Sequence, residues 1–116
     1  MLRARWLLAT SFAALVISAG MLLPLSRFGL MLDKPVAIAI HLAAFFIVGV
    51  LVMGQLSDRR PTALTLLLVW SVALEAGQLL IAGRSADLAD LGANVLGLLL
   101  AYAVVRSRDA IRLLRQ

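Results

Sequence analysis

Four apolar runs separated by short polar stretches divide the chain. Trp6 to Leu23 is uncharged for 18 residues, and Pro35 to Leu56 runs for 22 with His41 as its one ionisable group. Thr62 to Ala82 is interrupted by Glu75 and Gln78, and Leu88 to Val105 carries Asp90 and Asn94 near its start. A helix rises 1.5 Å per residue and the hydrocarbon core of a bilayer is about 30 Å thick, so roughly 20 apolar residues make one span. The pattern predicts an all-α bundle of four transmembrane helices at approximately residues 6–23, 35–56, 62–82 and 88–105, forming a single domain over residues 1–116.

The breaks carry helix-ending and helix-starting residues. Pro24 and Gly29 interrupt the first link, and Asp33 stands as a cap before Lys34-Pro35. Ser57-Asp58-Arg59-Arg60-Pro61 forms a basic turn. Gly83 suits the end of the third helix, and Ser85 or Asp87 can cap the fourth. The first run competes with a signal peptide, whose apolar region is normally about 7–15 residues; its greater length favours an uncleaved helix. Gly49, Gly54, Gly77, Gly92 and Gly97 supply small positions at which membrane helices can approach closely.

Composition agrees with the pattern. Apolar residues make up 63% of 116 and mean hydropathy is +1.02, against roughly 45–50% apolar residues in soluble domains. The absence of cysteine excludes disulfides and thiolate ligands, and a single histidine cannot build a multi-histidine site. No metal or cofactor is expected. The net charge of +5 comes from basic residues that flank apolar runs, which reads as a topology signal and not as a nucleic-acid surface. The N-terminal segment, the turn at Arg59-Arg60 and the C-terminal tail hold eight Lys or Arg, the other two links three. The positive-inside rule therefore places both termini in the cytoplasm and the links 24–34 and 83–87 outside. In the tail, Ile111, Leu113 and Leu114 alternate with Arg108, Arg112 and Arg115, as expected for a short extension on an anionic membrane surface.

Polar side chains inside such runs are expensive in hydrocarbon and usually face partners or a water-filled cavity. Glu75 and Gln78 share a helical face, as do Asp87, Asp90 and Asn94, and as do Lys34, His41 and Phe45. His41, Glu75 and Asn94 each lie about 10–12 Å along their helices from the outer ends, at one level. They are expected to meet in an outward-opening pocket with a His41–Glu75 hydrogen bond, Lys34 at its mouth, Phe45 at its floor, and Arg84, Asp87 and Asp90 at its rim. Lys34, His41, Glu75, Gln78, Arg84, Asp90 and Asn94 are the candidate binding residues; Asp33, Asp87 and Gly97 are candidate capping or structural ones. Gln78 and Asn94 can equally serve as interhelical hydrogen-bonding groups, Asp87 as a helix cap, and Arg84 as a bridge between the two aspartates.

The run Asp33-Lys34 with His41 following, and the block Glu75, Gln78, Arg84, Asp87, Asp90, Asn94 and Gly97, resemble the VanZ-like family of small bacterial integral membrane proteins over nearly the whole chain. That resemblance implies a multi-pass protein of the bacterial cytoplasmic membrane, in a family named for glycopeptide resistance, to teicoplanin in particular. It implies no established reaction.

Two classes of function follow. In the first, the pocket binds a membrane lipid or lipid-linked envelope precursor, with Lys34 and Arg84 drawing an anionic group and apolar walls suiting an acyl or prenyl chain. In the second, His41 with Glu75 or Asp90 forms an acid–base pair acting on a lipid phosphate or ester. The lack of a nucleophile motif ranks binding above catalysis. A scaffold for other envelope proteins is a third reading, and a bundle this small leaves room for a homo-oligomer or a partner membrane protein.

Overall fold

The computed structural model describes residues 2–22, 34–56, 58–80 and 88–115. Among them are four helices and no strand: α1 (Leu2–Leu22), α2 (Lys34–Gln55), α3 (Arg60–Leu79) and α4 (Leu88–Leu114). Residues 23–33 and 81–87, with Asp33, Gly83, Arg84, Ser85 and Asp87, lie outside the described residues. Two helices, α2 and α4, are long and apolar enough to cross a membrane, and Ala4–Gly20 within α1 is a shorter apolar helix.

Each of the last three helices buries one stripe. On α2 it runs through Phe45, Val48, Gly49 and Met53. On α3 it passes through Ala63, Leu67, Ser71, Leu74, Glu75 and Gln78, and on α4 through Ala93, Asn94, Gly97, Leu98, Ala101 and Val105. These spacings of three and four keep one face inward. The opposite faces are apolar as well: Ile47, Leu66, Val69, Val72, Leu96 and Leu99 are all exposed.

α2 and α4 form the most extensive helix pair, and two glycines explain why. A Cβ added to Gly97 would stand 2.5 Å from the Leu42 carbonyl oxygen and 3.1 Å from the Phe46 nitrogen, so the two backbones touch there. One added to Gly49 would stand 2.6 Å from Ala101 Cβ. Removing side chains at these two places lets the helix backbones approach, so that dispersion contacts form between them. Gly54 and Gly92, expected to serve the same purpose, have no neighbour within 4 Å of such a Cβ. The residue numbers in contact rise together along both helices, His41 opposite Asn94 and Gly49 opposite Ala101, so α2 and α4 run parallel.

α3 returns between them in the opposite sense. The Phe45 and Trp70 rings pack tilted at 41° with centroids 5.0 Å apart, and Arg60 Nε donates to Met53 O at 3.0 Å. Arg59 is the N-cap of α3 without a side-chain hydrogen bond, and Pro61 falls in the first turn, where its fixed φ suits a helix start and no amide hydrogen is missed. α1 joins through Ala13 and Ile17, which pack against the core. Gln55 Nε2 on α2 also donates to Thr10 Oγ1 at 2.9 Å, and that hydroxyl itself donates to Trp6 O.

The fourth helix departs from the expected boundary. It does not stop at Val105 but continues to Leu114, 27 residues in all, because nothing from Arg106 onward is a glycine or proline that would end it. The expected separate surface extension is therefore the last turns of α4. Asp109 on those turns is ion-paired with Arg60, itself only 9% exposed.

Candidate functional site

His41 on α2, Glu75 and Gln78 on α3, and Asn94 on α4 gather at one end of the bundle: the start of α2, the end of α3 and the start of α4. Asn94 is fully enclosed, Gln78 is 2% exposed and Glu75 5%. The antiparallel register that sets Phe45 against Trp70 puts Glu75, five residues further along α3, at the level of His41. Lys34 is exposed at the first residue of α2, two turns before His41. Below them Phe45, fully buried, closes the cluster towards the apolar core.

His41 joins the helices. Its Nδ1–H donates to Asn94 Oδ1 across 2.8 Å. An amide oxygen cannot donate, so in this arrangement the proton is the ring's, and Nε2 of a neutral imidazole carries the lone pair. Nε2 faces Asp90 Oδ2 at 3.9 Å, and the two side chains are 13% and 19% exposed. That separation exceeds hydrogen-bonding distance. His41 and Asp90 thus form the accessible edge of the cluster, with Asn94 behind them. The nitrogen of the same Asn94 amide, Nδ2, is buried without a hydrogen-bond partner.

The expected His41–Glu75 hydrogen bond is not formed; the ring bonds to α4 instead of α3. The physical reason is Gly97, less than one turn beyond Asn94, which draws α4 onto the α2 backbone at Leu42, next to His41. Depth along a helix gives the level of a side chain but not which neighbour it meets. Arg84 and Asp87, expected at the rim, lie outside the described residues.

Arg60, expected from the sequence only as part of a basic turn, holds the other end. Arg60 bonds to α2 through Met53 O and to α4 through Asp109, so one guanidinium ties three helices. An arginine beside a turn is ordinarily a topology signal; the sequence sign of more was Asp109, an acid among tail arginines on the inward face of α4. Ser71 is also fully buried, its hydroxyl returned to Leu68 O at 2.9 Å. Among the described residues, no three His, Cys, Asp or Glu side chains gather to hold a metal ion. An open groove of 410 Å³ beside Tyr102, Arg106 and Ser107 lies on the far half of α4 and shares no residue with the polar cluster.

A family model described as VanZ/LLP1 matches residues 5–112. No curated protein and no solved structure matches the chain.

Proposed function

The chain belongs to the VanZ/LLP1 family, and from that premise we propose that it is a four-span protein of the bacterial cytoplasmic membrane. Its polar cluster receives the head group of an outer-leaflet lipid or lipid-linked envelope precursor. Family membership is consistent with the envelope, and the apolar outer faces of the helices suit lipid contact. All four helices are 20 residues or longer, about the length that crosses the hydrocarbon core. The distribution of Lys and Arg assigns the Arg60 end to the cytoplasm and the His41 end to the outer side.

One observation carries the binding reading: the His41–Asn94 pair joins two helices at the level of a buried glutamate, while Asp90 and the far side of the imidazole stay partly open. Polar groups whose only task was to hold helices together would be enclosed throughout. This edge is reachable, and it lies between apolar surfaces that suit an acyl or prenyl chain. A catalytic reading has its own support in the same geometry, since Asn94 fixes the tautomer of His41 and leaves Nε2 beside Asp90, as an acid–base pair requires.

Native mass spectrometry of protein gently extracted from membranes tests the proposal. A defined lipid or precursor carried by the wild type and lost from a folded His41→Ala, Asp90→Ala double variant supports it. Equal, non-selective lipid retention by both defeats it. Turnover of the retained lipid that disappears in His41→Ala and in Asp90→Asn would place catalysis above binding.

A further inference from the structure

We propose that the groove on the far half of α4 is a site for the phosphate of an anionic phospholipid of the inner leaflet, whose acyl chains lie along Leu96 and Leu99. This rests on the four-span reading above and is independent of what the polar cluster at the other end receives.

The open groove of 410 Å³ is lined by Tyr102, Ala103, Arg106, Ser107 and Ala110. Spacings of three and four put these residues on one face of α4, opposite the buried stripe of Leu98, Ala101 and Val105. The groove therefore opens away from the bundle. Leu96 and Leu99 continue the same face towards the middle of the helix, and both are exposed. An apolar strip thus leads to an arginine, which is the order of chain and phosphate in a phospholipid.

Two measures set the level of that arginine. Arg106 stands 18 residues after Leu88, the first residue of α4, about 27 Å along the helix at 1.5 Å per residue, and the hydrocarbon core is about 30 Å thick. Asp109, less than one turn further on, pairs with Arg60, the first residue of α3, where the chain turns back into the bundle. With the Arg60 end assigned to the cytoplasm, Arg106 falls where the phosphates of the inner leaflet lie.

The donors suit an anion. Arg106 is exposed, and the parallel N–H groups of a guanidinium match two phosphate oxygens. The hydroxyls of Ser107 and Tyr102 can each add a donor. Asp109, three residues on, would be the natural partner of Arg106 on a helix, but Arg60 holds it. None of the five lining residues is acidic, so the ammonium of a zwitterionic head group would meet a guanidinium and no carboxylate. That favours a lipid whose net charge is negative.

The test offers the purified full chain equal amounts of phosphatidylglycerol and phosphatidylcholine with identical acyl chains and reads the retained lipids by native mass spectrometry. The wild type is expected to keep phosphatidylglycerol about fivefold over phosphatidylcholine, as one arginine near anionic lipid can provide. Arg106→Gln should remove most of that preference, and Arg106→Lys, which keeps the charge without the fork, should keep part of it. Arg108→Gln removes the same charge from an exposed side chain that does not line the groove, and it should leave the ratio unchanged. Equal losses in Arg106→Gln and Arg108→Gln would trace the preference to the charge of the tail as a whole and overturn the site, as would a wild type without preference. A preference that survives Arg106→Gln and is lost in the His41→Ala, Asp90→Ala double variant overturns the groove while leaving head-group binding at the polar cluster intact.

Discussion

Gly97 on α4 and Leu42 on α2 meet backbone to backbone, with no room for even a methyl group between the Gly97 α-carbon and the Leu42 carbonyl oxygen. The carbonyl belongs to a helix and cannot rotate aside, so a larger residue at 97 must push the helices apart. Gly97→Val should destabilise the protein by about 3 kcal/mol, the upper end for an overpacked site, seen as an earlier unfolding transition in detergent. It should also loosen the His41–Asn94 bond less than one turn away, read as faster exchange of the His41 ring signals.

Gly49 makes the complementary case, because there the obstacle is itself a removable methyl, Ala101 Cβ. Gly49→Ala should cost about 1–3 kcal/mol and Ala101→Gly about 1 kcal/mol. The double exchange should recover part of the first loss, since the new Cβ then enters the space left by the old one. A double-mutant cycle on thermal unfolding measures this coupling. Gly54→Ala and Gly92→Ala, where nothing lies within 4 Å, should be neutral or stabilising by up to about 1 kcal/mol.

The Arg60–Asp109 pair gives a prediction of opposite character. Asp109 is about one-third exposed, so water screens the attraction, and a loss of about 1 kcal/mol is expected for Asp109→Asn. Arg60→Ala should cost more, about 2–3 kcal/mol, because it also strips Met53 O of its donor and removes a buried stem from a three-helix junction. If the two variants lose equal stability in a denaturation series, the ion pair and not the junction is what matters.

Topology can be read without a competing signal, because the chain contains no cysteine. Single cysteines at Asp58, in the turn before α3, and at Arg108, near the end of α4, should react with an impermeant thiol reagent only after the cell is opened. A cysteine at Leu88, the first residue of α4, should react in intact cells. Reactivity of residue 58 from outside would invert the assignment and place the polar cluster in the inner half of the bilayer.

The helices were readable because apolar length is a one-dimensional property: Pro35 to Leu56 and the helix Lys34–Gln55 differ by one residue at each end. The partner of His41 was not, since Asn94 and Glu75 are equally consistent with its depth and the choice turns on which helix comes closer. Gly97 decides that, yet Gly92 on the same helix carries the same letter and touches nothing. A glycine becomes a contact only when it falls on the inward stripe. Arg60 was hidden for a related reason: a turn arginine reads the same whether it points to water or, as here, back into the bundle. The length of α4 was misjudged because Arg106 and the charges after it were read as the end of a helix, when they mark only where an apolar environment stops.

The parallel contact of α2 with α4 also sets an order of events during synthesis. α2 emerges with His41 in an otherwise apolar segment, and its hydrogen-bond acceptor Asn94 is 53 residues away in sequence, on α4, which leaves the ribosome after α3. Until α4 has formed, nothing from that helix covers the backbone at Leu42 and Phe46, and the imidazole is without its Asn94 partner. The cluster is consequently complete only once α4 is in place. A nascent chain halted before α4 would lack the His41–Asn94 bond and the Gly97 contact that brings the two helices together.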